Sequence, residues 1–166
     1  MLCPVCRHDN FEGEDTCANC GADLAASDVP QPAIEFRDTI LGSHLDALGV
    51  GEPNLVDPAL PVSDAVRRMH EVGTDCLLVC DGDRLVGIFT DRDAVVKVAG
   101  KAATAAVRDV MTRDPVVLRP DDRLAVAIHK MAVGGFRHVP VVDAKGRPTA
   151  VVSAADVFRH IVAALG

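Results

Sequence analysis

The chain has 166 residues, a net charge of −7, a hydrophobic fraction of 49% and an aromatic fraction of 3%. The hydrophobic fraction is enough for a folded core, and the chain has neither an apolar run of about 18 residues nor a secretory signal at its start, so we expect a cytoplasmic protein and no membrane contact. The negative charge and the scarcity of aromatic rings disfavour nucleic-acid binding, which uses cations for phosphates and rings for bases.

Four cysteines open the chain in the pattern C-x2-C-x10-C-x2-C, and they are Cys3, Cys6, Cys17 and Cys20. Two pairs of this spacing can place four thiolates around one ion, which is the usual structural zinc geometry. The segment has few apolar residues, so a metal would supply the stability that a core cannot. Disulfides are the alternative, which the spacing and the expected compartment disfavour. We therefore predict a zinc ribbon over residues 1–24, with a closed, non-catalytic zinc and His8 on its surface.

The charge of this ribbon indicates what it can bind. Its acidic residues outnumber its single arginine, Arg7, and they are Asp9, Glu12, Glu14, Asp15 and Asp23. Such a surface repels phosphates, so we expect a protein contact or a purely structural role rather than a nucleic-acid-binding regulator. Residues 25–44 follow as a predicted linker, whose second half, near 34–41, is expected to form a short strand or helix against the main body.

From about Leu45 the chain repeats itself at an offset of 62 residues, which becomes 63 after a turn. Each copy predicts the order β-α-β-β-α, over residues 45–104 and 105–166, in a pseudo-two-fold symmetric α/β (α+β) body with one shared core. The first helix of each copy has a predicted buried face, which is Val62, Val66 and Met69 in one copy. In the other copy it is Leu124, Ile128 and Met131, with Val126 and Ala127 beside them. Glycines after these helices, Gly73 and Gly134-Gly135, are predicted caps.

A hydroxyl followed three residues later by an acid stands after the last strand of each copy, as Thr90 and Asp93 and as Ser153 and Asp156. Taken once, the pattern is a capping box that only stabilises a helix start. Its double occurrence also suggests a ligand site, because a helix N-terminus attracts anions. The hydroxyl could donate to a phosphate and the carboxylate could accept from ribose hydroxyls. Both interpretations stay open on the residues alone.

The segments GIFTDRDAV, VMTRDPVVLRPDDRLAVAIHKM, FRHVPVVDAKG and AVVSAADVF resemble a tandem pair of cystathionine-β-synthase (CBS) domains, a Bateman module. The resemblance covers about three quarters of the chain. It implies a regulatory protein rather than an enzyme, with two clefts for AMP, ADP, ATP or S-adenosylmethionine. It also implies a homodimer that signals to a protein partner, here unidentified.

The resemblance also assigns the residues of the clefts. Thr90 and Ser153 match the hydroxyl that contacts phosphate, and Asp93 and Asp156 match the carboxylate that holds the ribose. The strand that borders the adenine matches His138, Val139 and Pro140, and Arg92 lies beside the phosphate position. The acidic composition favours a monophosphate or a sulfonium ligand over a triphosphate.

The first copy departs from the family pattern at Leu78, which replaces a proline, and the second departs at Ala150, which replaces a glycine. We therefore expect one cleft to be altered or empty, without an indication of which. Cys76 and Cys80 are expected to be core thiols rather than a redox pair. The alternative functions are a structural or adaptor protein whose capping boxes only cap, and the disfavoured nucleic-acid regulator.

Overall fold

The structure is a computed structural model that describes residues 2, 3, 6, 8–11, 14–22, 24, 40, 42–98 and 105–165. The chain divides into two compact units, residues 1–39 and residues 40–166. The first unit carries the four N-terminal cysteines and the second carries both repeats. Most of the predicted linker, including nearly all of the expected element over 34–41, lies outside the described residues.

The second unit has the predicted element order. In the first repeat, β1 (Leu55–Val56) precedes helix α1 (Val62–Val72), the hairpin β2 (Cys76–Asp81) and β3 (Arg84–Thr90), and helix α2 (Asp91–Val98). The second repeat contains β4 (Thr112–Arg113), α3 (Leu124–Gly134), β5 (His138–Val142), β6 (Pro148–Ser153) and α4 (Ala154–Leu165). The extended piece expected over 116–118 is reduced to a single parallel bridge between Leu118 and Val141. The mixed α/β class is confirmed.

Two sheets carry these strands. In the first sheet the order is β1-β2-β3-β4, with β1 parallel to β2 and the other neighbours antiparallel. The second sheet pairs β5 with β6, and Val139 stands opposite Val152. Because β4 comes from the start of the second repeat, a segment of one copy extends the sheet of the other.

Hydrogen bonds between the first helix of each repeat and the segment at the start of the other repeat follow the 62-residue offset. The backbone N–H of Val62 donates to the carbonyl of Ala105 at 2.9 Å, and that of Leu124 donates to the carbonyl of Ser43 at 2.8 Å. Each helix therefore begins against the segment that leads into the other copy, which supplies an acceptor for an N–H group that the helix itself cannot satisfy. The paired contacts confirm the predicted pseudo-two-fold symmetry.

The core of the first repeat lies between α1 and the sheet. Val62, Ala65 and Met69 are buried on α1 and belong to a cluster with Leu77 and Phe89. The predicted face was wrong at Val66, which is 41% exposed. Because the side chain at position 65 is only that of alanine, the hydrophobic periodicity did not show that the buried face of α1 includes this residue.

The buried face of α3 is shifted in the same way. Leu124 and Ala127 are fully buried, whereas Ile128 and Met131 are half-buried. Both helices end as predicted at a glycine in the left-handed region, Gly73 with φ 65° and Gly135 with φ 64°, a conformation that disfavours a Cβ atom. None of the described helices has both the length and the apolar character that a membrane crossing requires.

Candidate functional site: a cysteine cluster and two clefts

The two cysteine pairs of the first unit sit in matching backbone turns. The N–H of Cys3 donates to the carbonyl of His8 at 2.9 Å, and the N–H of Cys17 donates to the carbonyl of Ala22 at 2.8 Å. Each bond spans five residues, so each pair forms the same knuckle. The knuckles bring all four sulfurs within 4.8 Å of one another.

Asn10 connects the two knuckles. Its side-chain amide donates to the carbonyl of His8 at 2.9 Å, and its amide oxygen accepts from the N–H of Ala18 at 3.0 Å. The residue is only 6% exposed, so these bonds replace the water that its amide would otherwise bind. Asn10 was not singled out in the sequence, because nothing in the spacing shows that it bridges the pairs.

The sulfur geometry fits a tetrahedral zinc ion. The Sγ atoms of Cys3 and Cys20 are 3.7 Å apart, and those of Cys6 and Cys17 are 3.6 Å apart. Four sulfurs at about 2.3 Å from one ion would be separated by about 3.8 Å. A hydrogen bond from the Asn19 side chain, with a backbone contact at His8, lowers the pKa of the Cys6 thiol to about 6. The cluster could therefore hold a structural zinc.

In the second unit both T/S-x-x-D motifs form closed capping boxes. The N–H and the hydroxyl of Thr90 donate to Oδ2 of Asp93 at 3.0 and 2.8 Å, and the N–H of Asp93 donates back to the hydroxyl at 3.3 Å. Ser153 and Asp156 repeat the pattern at 2.8, 2.6 and 3.1 Å. The caps position a hydroxyl and a carboxylate at the start of α2 and of α4.

The second oxygen of each carboxylate meets a cation. Oδ1 of Asp93 lies 2.6 Å from Nζ of Lys97, and Oδ1 of Asp156 contacts the guanidinium of Arg159. Asp93 is buried at 7% exposure, whereas Asp156 is half-buried. Both carboxylates are therefore held in place without a ligand, and Asp93 is the more enclosed of the two.

Each motif borders a cavity completed by the other repeat. The Thr90 cleft, of about 450 Å³, joins Thr90 and Asp93 to Thr112 and to residues 134–138 of the second repeat. The Ser153 cleft, of about 840 Å³, joins Ser153 and Asp156 to residues 51–54 and 73–76 of the first repeat. Both volumes fall in the range of small-molecule sites.

The two clefts differ in charge. Among the residues that the structure describes, the Thr90 cleft is lined by three cations, Arg92, Lys97 and Arg137, and by two carboxylates, Asp91 and Asp93. Within the described part of the chain, the Ser153 cleft is lined by one arginine, Arg159, and by four carboxylates, Glu52, Asp75, Asp91 and Asp156. Fixed charges concentrate ligands of the opposite sign, so the Thr90 cleft suits an anion and the Ser153 cleft suits a neutral or cationic group.

The remaining predicted cleft residues are only partly brought together. His138 lines both cavities, and its side chain, 6% exposed, places Nε2 at 2.9 Å from Oδ1 of Asp75. Val139 and Pro140 are buried and are not among the lining residues of either cavity. Arg92 is exposed at the Thr90 cleft. Lys97 and Arg137 were missed, because neither belongs to a local motif and only the packing of the repeats places Arg137 there.

Cys76 and Cys80 are both buried, as expected. Desolvation by burial, together with the carboxylate of Asp75, raises the pKa of Cys76 to about 12. Burial, with Asp83 nearby, also raises the pKa of Cys80. At neutral pH both thiols are protonated.

Comparison with known proteins agrees with this arrangement. The family profile of the CBS domain matches residues 52–100 and 107–163. The chain belongs to the CBS-domain family, with two copies of the domain. A 17.7 kDa protein of Acidianus ambivalens is 30% identical over 65% of this chain and 66% of its own length. The CBS domain-containing protein CBSCBSPB1 of Arabidopsis thaliana is 31% identical over 83% of this chain but only 26% of its own length, so this chain spans about a quarter of that relative.

Solved structures show the same fold. A CBS-domain-containing protein of Agrobacterium tumefaciens has a TM-score of 0.62 and 32% identity, covering 69% of this chain and 94% of its own. CBSX2, solved in complex with AMP, has a TM-score of 0.65 and 25% identity, covering 75% of this chain and all of its own.

Proposed function

We propose that this chain is a regulatory protein, not an enzyme, that binds AMP in the Thr90 cleft. The observation that carries the proposal is the capped hydroxyl–carboxylate pair at the start of α2, which opens on a cavity with more cations than carboxylates. The complex of CBSX2 with AMP supports a nucleotide ligand for this fold.

Each group in the Thr90 cleft has a function in this proposal. Arg92, Lys97 and Arg137 would neutralise the phosphate, because charge-assisted hydrogen bonds to phosphate are strong. The positive end of the α2 helix dipole adds to this field. Asp93 would accept from the ribose hydroxyls, since a carboxylate oxygen can accept more than one hydrogen bond. Because Asp91 and Asp93 offset two of these three cations, the cleft suits a monophosphate better than a triphosphate.

The Ser153 cleft would take a different ligand. Its four carboxylates would repel a phosphate, so we propose that an adenosine compound bound there is neutral or cationic, such as S-adenosylmethionine. In this proposal the Ser153 cleft is the altered cleft that the sequence leads us to expect, because it does not bind a nucleotide phosphate.

Calorimetric titration of the full chain with AMP tests the assignment, with Asp93→Asn and Asp156→Asn as a matched pair. Each change weakens one capping box, at a cost of about 1 kcal/mol in stability. We expect Asp93→Asn to abolish the heat of AMP binding and Asp156→Asn to retain it. Heat retained in Asp93→Asn, or lost only in Asp156→Asn, would contradict the assignment. Adenosine, which has no phosphate, should bind the wild-type chain more weakly than AMP.

A structural or adaptor protein is the second candidate, and the closed capping boxes favour it, since both carboxylates are satisfied without a ligand. In that case neither AMP, ADP, ATP nor S-adenosylmethionine would give heat or raise the melting temperature of the wild-type chain. The two variants would then differ from it in stability alone.

We further propose that two copies associate through the second unit and transmit the ligand state to a protein partner, with the zinc ribbon as a structural or docking module. Support for association comes from exposed apolar side chains on the last helix of each repeat: Val95, Val96, Phe158, Val162 and Leu165. Sedimentation of wild-type protein and of Phe158→Ser tests it, and a monomeric wild-type chain at micromolar concentration would contradict it.

A further inference from the structure

Three side chains that could ligate a metal meet on the wall of the Ser153 cleft. A carboxylate oxygen of Asp75, Sγ of Cys76 and a ring nitrogen of His138 all lie within 4.8 Å of one another. Cys76 and His138 begin β2 and β5 and occupy equivalent positions, 62 residues apart, in the two repeats. The group therefore lies where the two copies face each other, far in sequence from the N-terminal cysteines.

Two of the three side chains are buried and the third is accessible. Cys76 is 5% exposed and the His138 side chain is 6% exposed, whereas the Asp75 side chain is 60% exposed. All three line the 840 Å³ cavity, so an ion could reach them from it. The two buried ligands would be fixed by their strands, and the open coordination position would face the cavity.

The donor set selects a class of ion. An imidazole nitrogen, a thiolate and a carboxylate together suit Zn²⁺ or Co²⁺, whereas Mg²⁺ and Ca²⁺ require oxygen ligands. Ligands at about 2.0–2.3 Å from such an ion are roughly 3.3–3.8 Å apart, so small side-chain shifts would suffice. Nε2 of His138 and Oδ1 of Asp75, now 2.9 Å apart, would separate slightly.

The charges around the group favour a cation. Glu52, Asp91 and Asp156 line the same cavity, and Arg159 is the one arginine or lysine among its described lining residues. In the Thr90 cleft the position equivalent to Asp75 is Arg137, which pairs with Asp91. Among the described residues, the Thr90 cleft contains no comparable group of metal ligands.

We propose that Asp75, Cys76 and His138 form a second metal site, which binds Zn²⁺ or Co²⁺ through three protein ligands and leaves one position open towards the Ser153 cleft. The thiol proton of Cys76 is released to the buffer when the metal binds. This inference is independent of nucleotide binding in the Thr90 cleft.

Cobalt titration of the full chain, reduced and with its N-terminal cluster filled with zinc, tests the proposal. We expect one further cobalt per chain, with a thiolate-to-cobalt charge-transfer band in the near ultraviolet. Cys76→Ser should remove the band, and Cys80→Ser, a matched change at the other buried thiol of β2, should keep it. His138→Gln and Asp75→Asn should weaken cobalt binding by about tenfold or more, as the loss of metal-site partners commonly does.

The Asp75→Asn variant keeps the test decisive if a core substitution fails to fold, because this side chain is exposed. No band in the wild-type chain, a band of unchanged intensity in Cys76→Ser, or unchanged affinity in Asp75→Asn would each overturn the proposal. Zinc content per chain, measured after dialysis on wild type and Asp75→Asn, gives a second readout. It should fall in the variant without reaching zero, because the N-terminal cluster keeps its own ion.

Discussion

The guanidinium of Arg137 in the second repeat is bound to the carboxylate of Asp91 in the first, with one nitrogen 2.9 Å from Oδ1 and 3.0 Å from Oδ2. Asp91 lines both cavities, and Arg137 lines the Thr90 cleft. The pair therefore stands at the boundary between the two clefts and connects the repeats. It also keeps one of the three cations of the Thr90 cleft in a fixed position.

Arg137→Gln should weaken AMP binding about fivefold, which corresponds to ~1 kcal/mol for a partly exposed charge. The stability of the second unit should change by less than about 1 kcal/mol, because the ion pair with Asp91 is exposed. Calorimetry and urea unfolding measure the two effects. Arg67→Gln is the control, since Arg67 is an exposed arginine paired with Asp64 that does not line either cleft. Equal affinities in both variants would contradict a contribution of Arg137 to binding.

Asn10→Ala should loosen the cysteine cluster, because it removes the side-chain bond to each knuckle and takes the acceptor from the N–H of Ala18, at a cost of about 1 kcal/mol. We expect a chelator to remove zinc faster from this variant than from the wild-type chain, as followed with a colorimetric zinc indicator. Phe11→Ala, a change at a neighbouring residue that is 83% exposed, should release zinc at the wild-type rate. Identical release from both variants would show that Asn10 does not support the site.

Alkylation of the metal-free, reduced chain should depend on pH differently at different thiols. Since the pKa of Cys6 is lowered from 9.0 to about 6, its thiolate predominates above that pH and it should react quickly at pH 7. The pKa of Cys76 is raised from 9.0 to about 12, so this thiol should stay protonated and unreactive until far more alkaline pH. The chain is treated with iodoacetamide at pH values between about 5 and 9, a range that includes the lowered pKa of Cys6. Mass spectrometry of its peptides then gives the alkylation rates of Cys6 and Cys76 separately. Equal rates at pH 7 would contradict both shifts, and zinc should protect Cys6.

Gly73→Ala should destabilise the second unit by about 1–2 kcal/mol in urea unfolding, because Gly73 has φ 65° and an added Cβ is strained there. The cost is conformational rather than steric, because no other atom lies within 4 Å of the position that the alanine Cβ would occupy. Gly51→Ala is the matched control, since its Cβ also points into open space and its φ is not positive. If Gly51→Ala were as destabilising as Gly73→Ala, helix capping would not be the reason.

The repeat, its helices and their glycine caps could be predicted because their signals are local. An apolar period, a glycine after the last turn and a hydroxyl three residues before an acid each report on a few neighbouring residues. The wrong prediction that Val66 is buried on α1 also comes from relying on such local signals. Periodicity defines an apolar stripe but not which edge of it faces the sheet, and Ala65, which is fully buried, carries little hydrophobic signal.

The charge of the clefts could not be predicted in the same way. Asp91 and Arg137 are 46 residues apart, and they meet because each cleft joins the motif of one repeat to the strand start of the other. Cys76 and His138 also meet only through the packing of the repeats, because they begin equivalent strands that are 62 residues apart in sequence. Neither contact has a sequence signature. The four N-terminal cysteines, in contrast, were recognisable from their spacing, because each knuckle is completed within a few residues.

The reciprocal bonds from Val62 to Ala105 and from Leu124 to Ser43 make the two copies mutually dependent. Either half produced alone would have a helix N-terminus without its hydrogen-bond acceptor, and each cleft would lack the residues that the other repeat supplies. Such a fragment should recover its shape only by pairing with the missing half, or with a second copy of itself standing in for it.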